Sequence, residues 1–204
     1  MYKNNSLNLI IVFVLVILMF YFIKPKNNYD IEKNSVCAHP NFIGGSINHT
    51  PPVQYKSEVL KTINFMDTGL NWIKNNEYMT NLEIFSNLNK EQNNNNYFIA
   101  YGTGSENKGI LLMHAGKQLG KFCSVNDPKC EVNTESLIGK NLWNYKSLDG
   151  VFAVRIWVDL AKSGGGWYAY YWNDPKTGQI VPKYTYIKQV PNRNFLLATG
   201  FEIN

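Results

Sequence analysis

The side chains best suited to chemistry are concentrated in the stretch GGGWYAYYWNDPKTGQIVPKYTY, residues 164–186, which carries seven aromatic rings around one turn. In a strand, alternate side chains face opposite sides of a sheet, so Tyr168, Tyr170 and Trp172 are predicted to share one face. Lys183 stands among these rings, and a lysine beside buried rings requires an anionic partner. Apolar walls with a few polar groups are typical of small-molecule pockets. The pattern therefore predicts core packing on one face of the hairpin and a pocket wall on the other, with core packing of every ring as the alternative.

Catalysis is not indicated by the residues that usually perform it. Two of the three histidines, His39 and His49, fall in a predicted linker, and the third is His114. The sequence contains no Gly-x-Ser-x-Gly elbow, His-Glu-x-x-His pair or phosphate-binding loop. The partial match Gly102-x-Gly104 falls between two predicted strands rather than before a helix. We therefore expect a protein that is not an enzyme and carries no cofactor.

Length and charge limit the architecture and the partners. The chain has 204 residues, of which 45% are hydrophobic and 14% aromatic, enough for one domain, with or without an appendage, around a proper core. Its formal net charge of +5 is spread along the sequence without a long basic run. Nucleic acid is therefore not an expected partner.

The N-terminal segment at residues 7–23 is almost entirely apolar. At about 1.5 Å per residue, a helix of this length nearly crosses a hydrocarbon core of about 30 Å. We predict a membrane anchor there after a tail at residues 1–6, followed by a linker at 24–52 and a single extracytoplasmic domain at 53–204. A cleaved signal peptide, which would make the domain secreted, is the alternative. The flanking lysines do not decide the orientation.

The cysteines help to indicate whether the domain is exported from the cytoplasm. There are three: Cys37, Cys123 and Cys130. Cys123 and Cys130 bracket the sequence SVNDPK, and a short ring of this kind suits a local disulfide on an exported domain. We predict that disulfide, with two free thiols in a loop as the alternative. Cys37 is left to pair with another chain or to stay free. Two cysteines without a nearby histidine do not make a zinc site, so no metal is expected.

The hydrophobic spacing predicts an α+β domain. Apolar residues recur at intervals of three and four over residues 59–73, which indicates a long amphipathic helix, and a shorter helix is expected near Asn81–Leu88. Another helix, within SLDGVFAVRIWVDLAKSGGG, is stopped by three glycines. The strand-like runs are YFIAYG, GILLMH, WYAYYW, QIVPKYTYIKQV and FLLATGFEI. We therefore predict an antiparallel sheet of about five strands, covered on one face by helices.

A series of short motifs follows one order along the second half of the chain. They are Leu-Ile-Gly-Lys-Asn at 137–141, Gly-Gly-Gly-Trp at 164–167, Tyr170 and Trp172 before a turn with Pro and Gly, Pro-Lys-x-x-Tyr at 182–186, and Gly200. This order resembles the single Cache domain (sCache, Cache type 2), the extracellular sensor module of methyl-accepting chemotaxis proteins and sensor kinases. The resemblance implies a PAS-like Cache fold, with a long N-terminal helix before the sheet and a transmembrane helix before both.

Three features depart from the family pattern. The Asp-x-x-Gly step of the family is shortened to Ser-Leu-Asp-Gly at residues 147–150. The loop with Cys123 and Cys130 looks like an insertion, and the sequence ends at Asn204, where a typical receptor continues into a second membrane helix and an output domain. We therefore expect a stand-alone sensor-type domain without an output domain of its own. A signalling partner or a homodimer is compatible with such a domain. A structural or protein-interaction role that keeps the fold without a ligand is the alternative.

The resemblance also implies a ligand class, because single Cache domains often bind small carboxylates. In this chain Lys183 is expected to donate the charge-assisted hydrogen bond, and the hydroxyls of Tyr170 and Tyr186 to orient the carboxylate. The residues expected to contact the apolar tail of the ligand are Trp172, Tyr101 and Met113.

Overall fold

The computed structural model describes residues 46–47, 50–90, 96–115, 121–122, 132–133, 137–147, 150–173 and 180–203. All of these belong to the unit formed by residues 35–204. The predicted anchor at residues 7–23 and the three cysteines lie outside the described residues. Within the described part of the chain, no helix combines the length and the apolar character needed to cross a bilayer.

The first long helix, α1, spans Lys56–Asn75 and follows a 3-10 turn at Val53–Tyr55. Its buried residues are Thr62, Met66, Gly69 and Ile73. They lie three or four positions apart and therefore share one face of the helix. The long amphipathic helix predicted from the apolar spacing is confirmed.

A shorter helix, α2, spans Asn81–Leu88 at the predicted position. Its first turn is closed by a capping box between Thr80 and Glu83. The Thr80 hydroxyl accepts a hydrogen bond from the Glu83 backbone N–H at 3.3 Å, and Glu83 Oε2 accepts one from the Thr80 backbone N–H at 2.8 Å. Two N–H groups that the helix itself cannot satisfy are thus paired, which explains why this short helix begins where it does.

The sheet is built from strands that run antiparallel throughout. Its members are β1 (Ser46–Ile47), β2 (Ile99–Gly102), β3 (Leu111–His114), β6 (Gly166–Asn173), β7 (Ile180–Gln189) and β8 (Phe195–Glu202). They lie in the order β1-β6-β7-β8-β2-β3, and β4 (Lys121–Phe122) pairs separately with β5 (Val132–Asn133). The five longer strands match the predicted number. The two-residue β1 comes from the segment predicted as a linker and pairs with Tyr168 and Ala169.

Helices cover both faces of the sheet, so the prediction of a single covered face is wrong. The third helix, α3 (Ala153–Lys162), belongs to one core cluster with Tyr170 and Ile187. On the other face, α1 and α2 belong to a cluster with Phe98 and Leu197. The inner strand β8 shows the reason: it is buried at every position except its last, so it has no polar side that could face water.

The glycine triplet ends α3 and starts β6, as predicted. Gly164 and Gly165 have φ angles of 109° and 87°, which L-residues with a side chain rarely adopt. A Cβ on Gly165 would also lie 2.4 Å from the carbonyl oxygen of Ile187. Glycine at this position therefore lets α3 turn directly back onto β7, which brings the helix over the aromatic hairpin.

Candidate ligand-binding site

Buried polar side chains gather on the sheet face that α3 covers, in a group that we call the lysine cluster. Its members are Tyr97, Tyr101, His114, Tyr170, Lys183 and Thr185, each at most 7% exposed. Tyr97 precedes β2, and the others belong to β2, β3, β6 and β7. The cluster therefore draws on strands from both halves of the sheet.

Lys183 is the charged member of the lysine cluster and is 2% exposed. Its Nζ donates a hydrogen bond to the hydroxyl oxygen of Tyr97 at 2.8 Å and lies 4.7 Å from the centre of that ring. Glu202, its partner across β7 and β8, places Oε1 3.4 Å from Nζ. The Glu202 side chain is 25% exposed. The ion pair therefore lies where the cluster approaches solvent.

His114 is a second titratable group close to the lysine, and it is neutral near pH 7. Its ring centre lies 5.3 Å from that of Tyr97. Burial, and then the positive charge of Lys183, lower the pKa of His114 to about 3. The imidazole therefore adds no second positive charge to the cluster at neutral pH.

Tyr170 sits directly opposite Lys183 in the pairing of β6 with β7. Its hydroxyl oxygen accepts a long hydrogen bond, 3.4 Å, from the hydroxyl of Thr185. Burial raises the pKa of Tyr170 above its ordinary value, and the nearby charge of Lys183 opposes that rise. The phenol therefore stays protonated and can act as a neutral hydrogen-bonding group.

Aromatic rings complete the cluster on the side of α3. Trp157 lies edge-on to both Tyr101 and Tyr170, with ring centres 5.7 and 5.8 Å apart. Tyr168 stacks on Tyr170 with ring centres 5.6 Å apart. Burial, with a smaller contribution from Tyr145, raises the pKa of the Tyr101 hydroxyl. The site thus combines one cation, several neutral phenols and an indole, which can bind a small anion with an apolar part.

The structure brings together three of the residues predicted for the site, namely Lys183, Tyr170 and Tyr101. The side chain of Trp172 lies outside the part of the chain that the structure describes.

Tyr186 and Met113 lie on the opposite face of the sheet, so the structure does not bring them to Lys183. The Tyr186 ring packs on Trp167, with ring centres 4.9 Å apart. Tyr186 lies three positions after Lys183 on the same strand. Because alternate side chains of a strand face opposite sides of the sheet, Tyr186 and Lys183 face opposite sides. Met113 belongs to the α1-side cluster together with Ala100, its partner across β2 and β3.

Sequence reasoning did not identify Tyr97, His114, Thr185 or Trp157 as members of the site. Thr185 could have been found, because it lies two positions from Lys183 and so shares its face. Tyr97 lies 86 residues away from Lys183, and no local pattern joins the two. Among the described residues, no group of three or more His, Cys, Asp or Glu side chains is placed to hold a metal ion.

The described fold is similar to solved structures of chemotaxis and chemosensory proteins. A methyl-accepting chemotaxis protein from Vibrio parahaemolyticus RIMD 2210633 superposes with a TM-score of 0.57 at 22% identity, covering 74% of this chain and 92% of the other. A Cache chemosensory domain studied for carboxylic acid recognition gives a TM-score of 0.53 at 20% identity, covering 76% and 100% of the two chains. A periplasmic sensor domain of a chemotaxis protein gives 0.50 at 15% identity, covering 74% and 94%.

These likenesses show that the chain has the α+β fold of Cache chemosensory domains. Residues 130–204 match the family model of Single Cache domain 2, so the predicted resemblance to the single Cache family is confirmed. No curated protein matches the sequence.

Proposed function

We propose that this protein is an extracytoplasmic sensor-type domain that binds a small organic anion, a short-chain carboxylate, on the face of the sheet that α3 covers. The observation that carries the proposal is the burial of Lys183 beside the hydroxyl of Tyr97 and opposite Tyr170. A buried ammonium is costly unless anions or hydrogen-bond acceptors surround it. A ligand carboxylate would supply both in one group.

The remaining members of the lysine cluster favour a singly charged ligand. The neutral His114 leaves Lys183 as the cation of the cluster near pH 7, while Tyr101 and Tyr170 stay protonated. Phenol hydroxyls can donate to a carboxylate oxygen, and hydrogen bonds to an ionised acceptor are roughly twice as strong as neutral ones. The apolar remainder of the ligand would lie against Trp157.

Glu202 favours a second candidate function, in which the fold is kept without a ligand. Its carboxylate already pairs with Lys183 at 3.4 Å, so the lysine has an anionic partner within the fold. In that case the domain would serve as a structural or protein-interaction module. The pair is long at 3.4 Å and its acid is partly exposed, so the proposed ligand would compete with Glu202 for Lys183.

The proposal includes anchoring by residues 7–23, with the domain outside the cytoplasm. Its support is the apolar run in the sequence and the likeness to a periplasmic sensor domain. Protease added to intact vesicles that carry the full chain should digest the domain and spare the apolar segment. Full protection of the domain would contradict this placement.

Calorimetry on the full chain tests the ligand. We expect at least one of acetate, propionate, lactate and pyruvate to bind, and Lys183→Met to abolish binding, because the variant keeps the apolar stem and loses the charge.

The matched control is Lys188→Met. Lys188 lies on the same strand, and its Nζ lies 5.5 Å from the ring centre of Tyr186, which faces away from the lysine cluster. Its loss should leave carboxylate binding unchanged. Binding of none of the four acids, or equal binding by Lys183→Met and the parent, would favour the structural function.

A further inference from the structure

The indole N–H of Trp157 is a buried donor that no described residue accepts from. Trp157 is 5% exposed, and its Nε1 is buried without an acceptor among the described residues. A buried tryptophan N–H usually has a partner, because leaving it unsatisfied costs free energy comparable to a lost hydrogen bond. The donor therefore points to an acceptor that the described residues do not supply.

The position of this donor connects it with the lysine cluster. The Trp157 ring lies edge-on to Tyr101 and Tyr170, and Tyr170 faces Lys183 across β6 and β7. Lys183 and the Trp157 indole are therefore both neighbours of Tyr170. We expect a ligand of a few heavy atoms that lies against Tyr170 to meet both groups.

We propose that Trp157 is a specificity-determining residue whose Nε1–H binds a second oxygen of the ligand, so that the site prefers 2-hydroxy and 2-oxo carboxylates to unsubstituted ones. This inference rests on the proposed function, since Lys183 must first hold the carboxylate. An unsubstituted acid leaves the indole N–H unsatisfied, whereas an oxygen at C2 accepts its hydrogen bond. Sites with a buried donor discriminate against ligands that lack the matching acceptor.

Calorimetry with three acids of the same carbon count tests the preference on the full chain: propionate, lactate and pyruvate. Lactate or pyruvate should bind about two- to tenfold more tightly than propionate, the range that corresponds to one net hydrogen bond of about 0.5–1.5 kcal/mol. Trp157→Phe keeps an aromatic ring and removes the N–H. It should lose the preference while still binding propionate.

Trp72→Phe is the matched control, because it removes an indole packed against the opposite face of the sheet. It should keep the preference for an oxygen at C2. Equal affinity of the parent for all three acids, or an equal loss for all three in Trp157→Phe, overturns the inference and leaves the proposed function standing. Binding of no carboxylate by the parent is a different result, which overturns the proposed function and this inference with it.

A second measurement covers the case in which Trp157→Phe does not fold. The parent chain, labelled with ¹⁵N at its indole nitrogens, should show one indole N–H resonance that moves with lactate or pyruvate and not with propionate. The same displacement of that resonance by all three acids, or by none under conditions where calorimetry shows binding, overturns the inference.

Discussion

Tyr170 and Lys183 face each other directly across β6 and β7, and both side chains are buried on the face that α3 covers. Under the proposed function, this phenol hydroxyl and this ammonium group would be a pair of donors for one carboxylate. The pair is assembled by the hairpin itself, because the register of the two strands sets these two residues opposite each other. The other groups of the lysine cluster come from β2, Tyr97 before it, β3 and β7, and Trp157 of α3 packs against Tyr170.

Loss of the Tyr170 hydroxyl should weaken carboxylate binding. We expect Tyr170→Phe to lower the affinity about two- to tenfold, the effect of one hydrogen bond of about 0.5–1.5 kcal/mol, while keeping the ring contact with Trp157. Tyr186→Phe, on the other face of the same hairpin, is the matched control and should bind as the parent does. Calorimetry measures both, and an equal effect of the two variants would place the ligand elsewhere.

Removal of the Glu202 carboxylate separates the two candidate functions. If a ligand carboxylate replaces Glu202 at Lys183, then Glu202→Gln removes a competitor and should raise the affinity for propionate or lactate. If Glu202 is the lasting partner of the lysine, the variant should lower the unfolding temperature and bind no carboxylate. Calorimetry and thermal unfolding of the same sample distinguish these results.

His114 should make folding stability depend on pH between its two pKa values. Its folded-state pKa of about 3 lies below its ordinary value of 6.5, so between these values the unfolded chain binds a proton that the folded chain does not. The free energy of unfolding should therefore rise with pH across this range, by about 1.4 kcal/mol per pH unit from this residue, and level off above it.

His114→Gln tests that dependence, because glutamine does not titrate. Urea unfolding at several pH values should show a shallower rise for His114→Gln than for the parent, while His49→Gln, in the predicted linker, should keep the parent slope. Parallel curves for the parent and His114→Gln would show that the imidazole is not buried in its neutral form.

The predicted Cys123–Cys130 disulfide lies outside the described residues and stays a prediction. In the loop-entropy model a ring of this size stabilises the fold by roughly 2 to 3 kcal/mol. Peptide mapping of exported protein without reductant should find the crosslink, and Cys123→Ser should lower the unfolding temperature. Two alkylatable thiols in correctly exported protein would contradict the pairing.

Local pattern was sufficient for the three helices and the five longer strands, but not for the two-residue strands β1, β4 and β5. The spacing of apolar residues predicted α1, and the glycine triplet predicted the end of α3. Strand alternation correctly separated Tyr168 and Tyr170 from Trp167. These signals act over a few residues, where side-chain direction follows directly from backbone geometry.

The number of covered faces could not be obtained in the same way. Strands β2 and β8 are almost wholly buried, and a continuous apolar run does not show whether one helix layer or two will cover it. The helices before and after the first strands could have packed on the same side. Tertiary packing placed α1 and α2 on one face and α3 on the other.

By itself, the sequence determined that Lys183 lies in a ring-rich hairpin opposite the strand of Tyr170, and that the second half of the chain resembles a single Cache domain. Tertiary structure alone decided what surrounds the lysine: Tyr97, 86 residues away, enters through the pairing of β2 with β8, and Trp157 enters through the packing of α3. The physical reason is that strand order and helix packing depend on the burial of the whole apolar surface at once. Residues that are distant in sequence therefore become neighbours without any local signal.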